Sequence, residues 1–234
     1  MQNDNDILKY LSAYKSDRLM ETSALSLNIK QIHNDLSNTD KGDPDPTKLQ
    51  ELNQMRLLSS NTLSKFPKQQ KIAAWNNAQG VLFQLLSEKN QLSNDDFKTL
   101  NTAITGSKSN GFRDFEIQTG AGEYLSSDKV SEAFKTYANT LETFKNDPLR
   151  TAFETYLTIV TVHPFENGNG RTARLAADFY LLGHGHLPVC FKSSIQSHVA
   201  LVKNSVKRSK EESYLKFLEA VKYSHHIVYG SFKL

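Results

Sequence analysis

The chain has 234 residues, enough to bury one sizeable core, and its 38% hydrophobic and 23% charged content is that of a folded globular protein rather than a disordered one. Its 28 basic and 25 acidic residues leave a formal charge of +3. That balance gives no whole-protein field to hold nucleic acid, and no run reaches the roughly 18 apolar residues of a membrane span, so neither is an expected partner.

In chain order, residues 5–36 read as helical, with Ile7, Leu8, Leu11, Leu25, Leu27 and Ile32 at near-helical intervals. The turn formers and two prolines of 37–46 (SNTDKGDPDP) end that pattern. They divide an N-terminal helical arm and linker, 1–46, from a main body, 47–234, whose first helix resumes at Thr47. From 71 to 86 the positions Ile72, Ala73, Trp75, Ala78, Val81, Leu82 and Leu85 form a wide apolar stripe, the mark of a core helix. Ser93, followed by Asn94, Asp95 and Asp96, reads as the capped start of a helix that turns Phe97, Leu100 and Ile104 inward.

The character changes over 106–127. Phe115 and Ile117 are separated from Tyr124 and Leu125 by the glycine-rich TGAGE, which reads as a β-hairpin at about 112–126. Helical spacing returns at 129–145, Pro148 intervenes, and a strongly apolar helix runs over 149–162. After a loop come helices at about 170–182, near 193–206 and near 211–225. The expected fold is all-α: a compact helical bundle with one short hairpin and an N-terminal arm, its core at about 70–190.

The string His163-Pro-Phe-Glu-Asn-Gly-Asn-Gly-Arg-Thr-Ala-Arg174 lies between two apolar helices, so it is a loop feeding a helix N-terminus inside a packed core. The first amides of a helix have no intrahelical partner, and the dipole adds partial positive charge there. Gly168 and Gly170 let phosphate oxygens approach those amides, while Arg171 and Arg174, three residues apart, share a helix face and add two guanidinium forks. Phe165 would plug into the core and fix the loop's path. His163, at the end of the preceding helix, is placed to act as a general base near neutral pH. Taken singly these residues have bland readings, a structural histidine, a turn and a solvated arginine face. The conjunction within twelve residues is what those readings fail to account for.

The segment HPFENGNGRTAR resembles the Fic motif, HPFx(D/E)GNGRxxR, with eight fixed positions matched, a coincidence on the order of 10⁻¹⁰ per start position at average residue usage. The stretch GFRDFEIQTGAGEYLSS is similar to the flap that precedes the motif in that family, and the resemblance extends over about 70–225. It implies a helical domain that transfers AMP from ATP, with Mg²⁺, to a Ser, Thr or Tyr hydroxyl of a target protein, with self-modification or a homodimer as further options. By position, the resemblance makes His163 the base and Phe165 the anchor of the loop. It assigns Gly168, Asn169 and Gly170 to the α- and β-phosphates, Arg171 to the β-phosphate and Arg174 to the γ-phosphate. The flap residues Phe115, Glu116, Ile117 and Gln118 would clamp the target as an added strand.

Two departures from the family pattern stand out. The metal-holding acid of the motif is Asn167 here, a neutral ligand that Mg²⁺ favours less than a carboxylate. A nucleotide-binding regulator, or a transferase using another nucleotide or a phosphocholine donor, therefore stays open beside AMP transfer. Many family members also carry an inhibitory (S/T)xxxE(G/N) helix. The nearest match, at Thr22, Ser23 and Ser26, has serine where the glutamate belongs, so weak autoinhibition is expected.

Elsewhere, Lys207, Arg208 and Lys210, followed at once by Glu211 and Glu212, read as a solvated face. The pairs His184/His186 and His225/His226 lack i,i+4 metal-ligand spacing. Cys190 cannot close an internal disulfide and reads as a small buried apolar residue. The opening MQNDNDILKY lacks a secretory pattern, so the expected compartment is the cytoplasm, or a host cytosol reached without a cleavable signal.

Overall fold

A computed structural model describes residues 4–12, 24–38, 44–61, 68–106, 111–119, 122–191 and 209–230. Their order is α1 (Asp4–Ser12), α2 (Ala24–Asn38), α3 (Pro46–Asn61), α4 (Lys68–Glu88), α5 (Asn94–Thr105), β1 (Gln118–Thr119), β2 (Gly122–Glu123), a 3₁₀ turn (Ser127–Lys129), α6 (Val130–Phe144), α7 (Pro148–Val162), α8 (Asn169–Leu182) and α9 (Lys210–Tyr229). The expected all-α bundle is the observed one. The hairpin is shorter than the sequence suggests, with Gln118 opposite Glu123 and Thr119 opposite Gly122. The helix expected near 193–206 lies outside the described residues.

Local chemistry sets the helix ends. Ser93 Oγ accepts from the Asp96 amide at 3.3 Å while Asp96 Oδ2 accepts from the Ser93 amide at 2.8 Å, a reciprocal capping box that starts α5. Gly106 closes the same helix in the left-handed conformation. Asp147 caps α7 through the Arg150 amide at 2.9 Å, and Pro148 occupies the first turn, where its missing N–H costs nothing.

Helices α7 and α8 pack on each other at the centre. Every residue from Leu149 to Val162 is buried, as are Arg171 to Leu181, the condition of helices covered on all sides. α5 and α4 cover α8, α6 covers α7, and α9 lies against α2, α3 and α7. α1 also joins the core, packing Ile7, Tyr10 and Leu11 with residues of α6 and α7.

The start of α9 corrects the expectation of a solvated face at Lys210 and Glu211. Lys210 is only 3% exposed; its Nζ meets Glu154 Oε2 at 2.8 Å and donates to the Leu11 carbonyl at 2.6 Å. Glu154 also accepts from Arg150 Nε at 2.9 Å, and Arg150 Nη2 reaches Glu211 at 3.3 Å. Each desolvated charge has a partner from another element, the condition under which charges are tolerated in a core. Cys190 is buried as expected, and burial pushes its thiol pKa up.

Candidate active site

α7 stops at His163, which caps it in the left-handed region at φ 55°, ψ 57°, its amide donating to the Ile159 carbonyl at 3.0 Å. His163 is the one non-glycine with positive φ among the described residues, a conformation that holds only where the surroundings enforce it. Arg113 supplies the enforcement. Its Nε donates to the His163 carbonyl at 2.8 Å, its Nη2 to the carbonyls of Leu125 and, at 3.3 Å, Val162, and its Nη1 to that of Phe115 at 2.8 Å. Its own amide donates to the Pro164 carbonyl at 2.8 Å. One buried guanidinium thus ties the hairpin region to the end of α7.

The loop that follows is closed on itself. Phe165 is 2% exposed and packs on Phe112, and the Asn169 amide group both accepts from the Phe165 N–H at 2.9 Å and donates to its carbonyl at 2.7 Å. The Asn169 side chain therefore holds the loop's shape. Gly168 begins α8 at φ 80°, and a Cβ there would lie 2.7 Å from Thr105 Cγ2 and 3.0 Å from Asn101 Nδ2, so both conformation and space call for glycine. Asn101 fixes this contact by donating to the Asn167 carbonyl at 2.8 Å and to Thr172 Oγ1 at 3.0 Å. The exposed Asn167 accepts from the Gly168 amide through Oδ1 at 2.7 Å. Gly170 falls in the first turn of α8, where amides lack intrahelical partners.

Arg171 and Arg174 lie on α8 just beyond, 8% and 6% exposed. Arg171 Nη1 donates to the Ile104 carbonyl at 3.3 Å. Burial lowers the pKa of both, and for Arg171 the charge of Arg174 adds to it, though each group stays protonated at neutral pH. Such cations, following a glycine-bounded loop at a helix N-terminus, are of the chemical kind that can hold anionic oxygen.

The His163 imidazole stacks on Tyr124, with 4.0 Å between ring centroids and 26° between planes. Its Nδ1 is buried without a well-formed hydrogen bond. Burial pushes the His163 pKa down to about 4; the Val160 carbonyl opposes this and the Arg113 charge adds to it. The ring is therefore neutral at physiological pH, with a proton on one nitrogen and a lone pair on the other.

Of the flap residues, Phe115 is 45% exposed and Glu116 accepts from the amide and hydroxyl of Ser127 at 2.8 and 2.9 Å. Ile117 is half-buried and Gln118 opens β1. Thr22 and Ser23 lie outside the described residues, as does the side chain of Ser26.

Sequence reasoning missed Arg113, Asn101 and Tyr124. Asn101 left one signal: it shares a helix face with Phe97, Leu100 and Ile104, and a lone amide on an apolar stripe marks a buried polar contact.

Residues 91–181 match the Fic/DOC family model. The chain is 30% identical over 112 residues to the protein adenylyltransferase fic-1 of Caenorhabditis elegans, a match that covers 45% of this chain and 22% of that protein's length. Several solved structures share the fold. An IbpAFic2 variant in complex with adenylylated Cdc42 superposes with a TM-score of 0.68 at 16% identity, covering 94% of this chain and 75% of that one. A Fic domain containing signaling protein from Bacteroides thetaiotaomicron superposes at 0.61 and 17% identity, covering 86% and 96%. Residues 91–181 of this chain are a Fic/DOC domain.

Proposed function

We propose that this domain is a protein adenylyltransferase that moves AMP from ATP to a Ser, Thr or Tyr hydroxyl of a target protein and releases pyrophosphate. One observation carries the reading: a neutral His163 ends α7 immediately before a loop that opens onto the N-terminus of α8, where two buried guanidiniums follow within two turns. The relative named as an adenylyltransferase, and the fold relative in complex with adenylylated Cdc42, support a protein as the acceptor.

In this reading the phosphates lie against the first amides of α8, with Arg171 and Arg174 meeting the outer two. The hydroxyl proton passes to Nε2 of His163 while Nδ1, on the buried side, keeps its own. The hydroxyl oxygen bonds to the α-phosphorus, and the bond from that phosphorus to the bridging oxygen breaks, its electron pair leaving with pyrophosphate. A base with a pKa of about 4 is weak for this task, and the negative charge of a bound polyphosphate raises it toward neutrality. Positioning and charge neutralisation are what phosphoryl-type transfer chiefly requires. The target backbone would align beside β1, with Phe115 offering an apolar contact.

Magnesium fits this donor set only as an ion carried by the phosphates. Among the described residues no three His, Cys, Asp or Glu side chains gather, and Asn167 offers one neutral oxygen, which already accepts from Gly168. When bound, the ion would offset phosphate charge. Asn167, in turning toward it, would free the Gly168 amide for a phosphate oxygen.

Incubating the protein and candidate targets with ATP labelled at the α- or the γ-phosphate tests the reading. Covalent label on protein from the α-position alone is expected; label from the γ-position, or from neither, overturns it. The neutral Asn167 favours a second reading, a nucleotide-binding regulator with little transfer. Asn167→Asp is expected to raise Mg²⁺-dependent transfer several-fold under the first reading, and nucleotide binding without transfer in both proteins would favour the second.

A further inference from the structure

The N-terminal arm reaches the candidate active site through one carboxylate. Asp4 opens α1, and its Oδ1 accepts from the Ser126 amide at 3.1 Å while its Oδ2 accepts from the Ser126 hydroxyl. Glu116 holds the next residue in the same manner, accepting from the amide and hydroxyl of Ser127. The limb returning from the hairpin is thus pinned to α1 and to the outgoing limb. The neighbouring Leu125 is fully buried, and its carbonyl accepts from Arg113. Tyr124, two residues before Ser126, stacks on the His163 ring.

α1 is a firm support for that contact. Ile7, Tyr10 and Leu11 are buried, Tyr10 Oη lies 3.1 Å from Ser213 Oγ, and the Leu11 carbonyl accepts from Lys210 Nζ at 2.6 Å. One end of the helix is therefore tied to the hairpin region and the other to α9. The hairpin needs such ties: it pairs two residues per strand, and a two-stranded hairpin is marginal in water without outside contacts. The same carboxylates act on the clamp. Burial lowers the Arg113 pKa, and the charges of Glu116 and then Asp4 oppose it.

We propose that Asp4 is a positioning residue for the transfer reaction: by fixing Ser126 against α1 it holds Tyr124 over the His163 imidazole. The proposal rests on the reading of His163 as the base. It makes an arm outside the matched segment 91–181 part of the scaffold of the site.

Nuclear magnetic resonance of the His163 ring in the full chain tests this, with the signals assigned through His163→Asn and near-ultraviolet circular dichroism as the check of packing. A stacked tyrosine displaces the ring-proton resonances of the imidazole upfield. In Asp4→Ala these resonances are expected to move to where Tyr124→Ala puts them, and the His163 pKa is expected to rise from about 4 toward the ordinary value of about 6.5. Loss of a negative charge alone would lower that pKa, so the sign separates lost cover from lost charge. Placed on Tyr124→Ala, Asp4→Ala is expected to add nothing, because both changes remove one contact. A merely structural residue would leave the His163 signals of the folded protein where they were. Ser126→Ala, which loses the hydroxyl bond and keeps the amide, decides the matter if Asp4→Ala does not fold, with a smaller displacement in the same direction. Unmoved resonances, a lowered pKa, or additive effects in the double variant would each overturn the proposal. An original protein that takes no α-phosphate label overturns the transferase reading, and with it the part of Asp4 in transfer. Unmoved His163 signals in an Asp4→Ala variant of a protein that does take the label overturn this inference alone.

Discussion

The Tyr124 ring lies nearly parallel to the His163 imidazole, with 4.0 Å between their centroids, so a residue that follows β2 covers one face of the proposed base. That cover keeps water from the ring, and desolvation is the largest influence holding the His163 pKa near 4. Tyr124→Ala is therefore expected to move the His163 pKa upward toward the ordinary value of about 6.5. Proton-detected titration of the His163 ring checks this, and a pKa that stays near 4 would assign the desolvation to other walls.

Arg113 satisfies the carbonyls of Phe115, Leu125, Val162 and His163 with one guanidinium. Arg113→Met strips donors from several buried acceptors at once and is expected to destabilise the fold by about 3 kcal/mol or more. Arg113→Lys is expected to recover little, because an ammonium lacks the planar fork that reaches several carbonyls. Urea denaturation of the three proteins is the measurement, and a loss within about 0.5 kcal/mol for Arg113→Met would refute the clamp.

The pH dependence of stability follows from the depressed His163 pKa. Between its unfolded value of about 6.5 and its folded value of about 4, the unfolded chain binds the proton and the folded chain does not. Stability should therefore fall as pH drops through that window and be unaffected by this group above it. Asp96 and Asp147, whose folded pKa values are lowered, also lose stabilisation on acidification, so the comparison is with His163→Asn, a residue that tolerates left-handed backbone. The original protein should lose more of its melting temperature between pH 6.5 and 4 than the variant. Equal losses would mean that the imidazole is not desolvated.

Much of this molecule is written in local pattern. The capping box at Ser93, the stripe of Phe97, Leu100 and Ile104, and the apolar run of α7 each announce themselves within one or two turns. The 163–174 loop was legible because glycine, asparagine and arginine stand at spacings that few other structures require. What escaped the sequence are residues whose roles depend on partners far along the chain. Arg113 meets the His163 carbonyl 50 positions away, and Arg56 meets Asp178 at a separation of 122. Nothing near either arginine distinguishes it from a surface cation. Lys210 misled for the same reason: its charged neighbours suggested solvent, while burial against α1 and α7 set its environment. The role of Asn169 was legible only in part, since its side chain turns back to the loop backbone.

The most direct test is single-turnover transfer of α-labelled AMP by the His163→Ala protein, with binding of ATP measured in parallel to show that the proposed phosphate site persists. Removing a general base is expected to slow transfer by about 10²–10⁴-fold while ATP affinity stays within a few-fold of the original. Transfer at the original rate would contradict the assignment of the imbedded imidazole as the group that takes the hydroxyl proton.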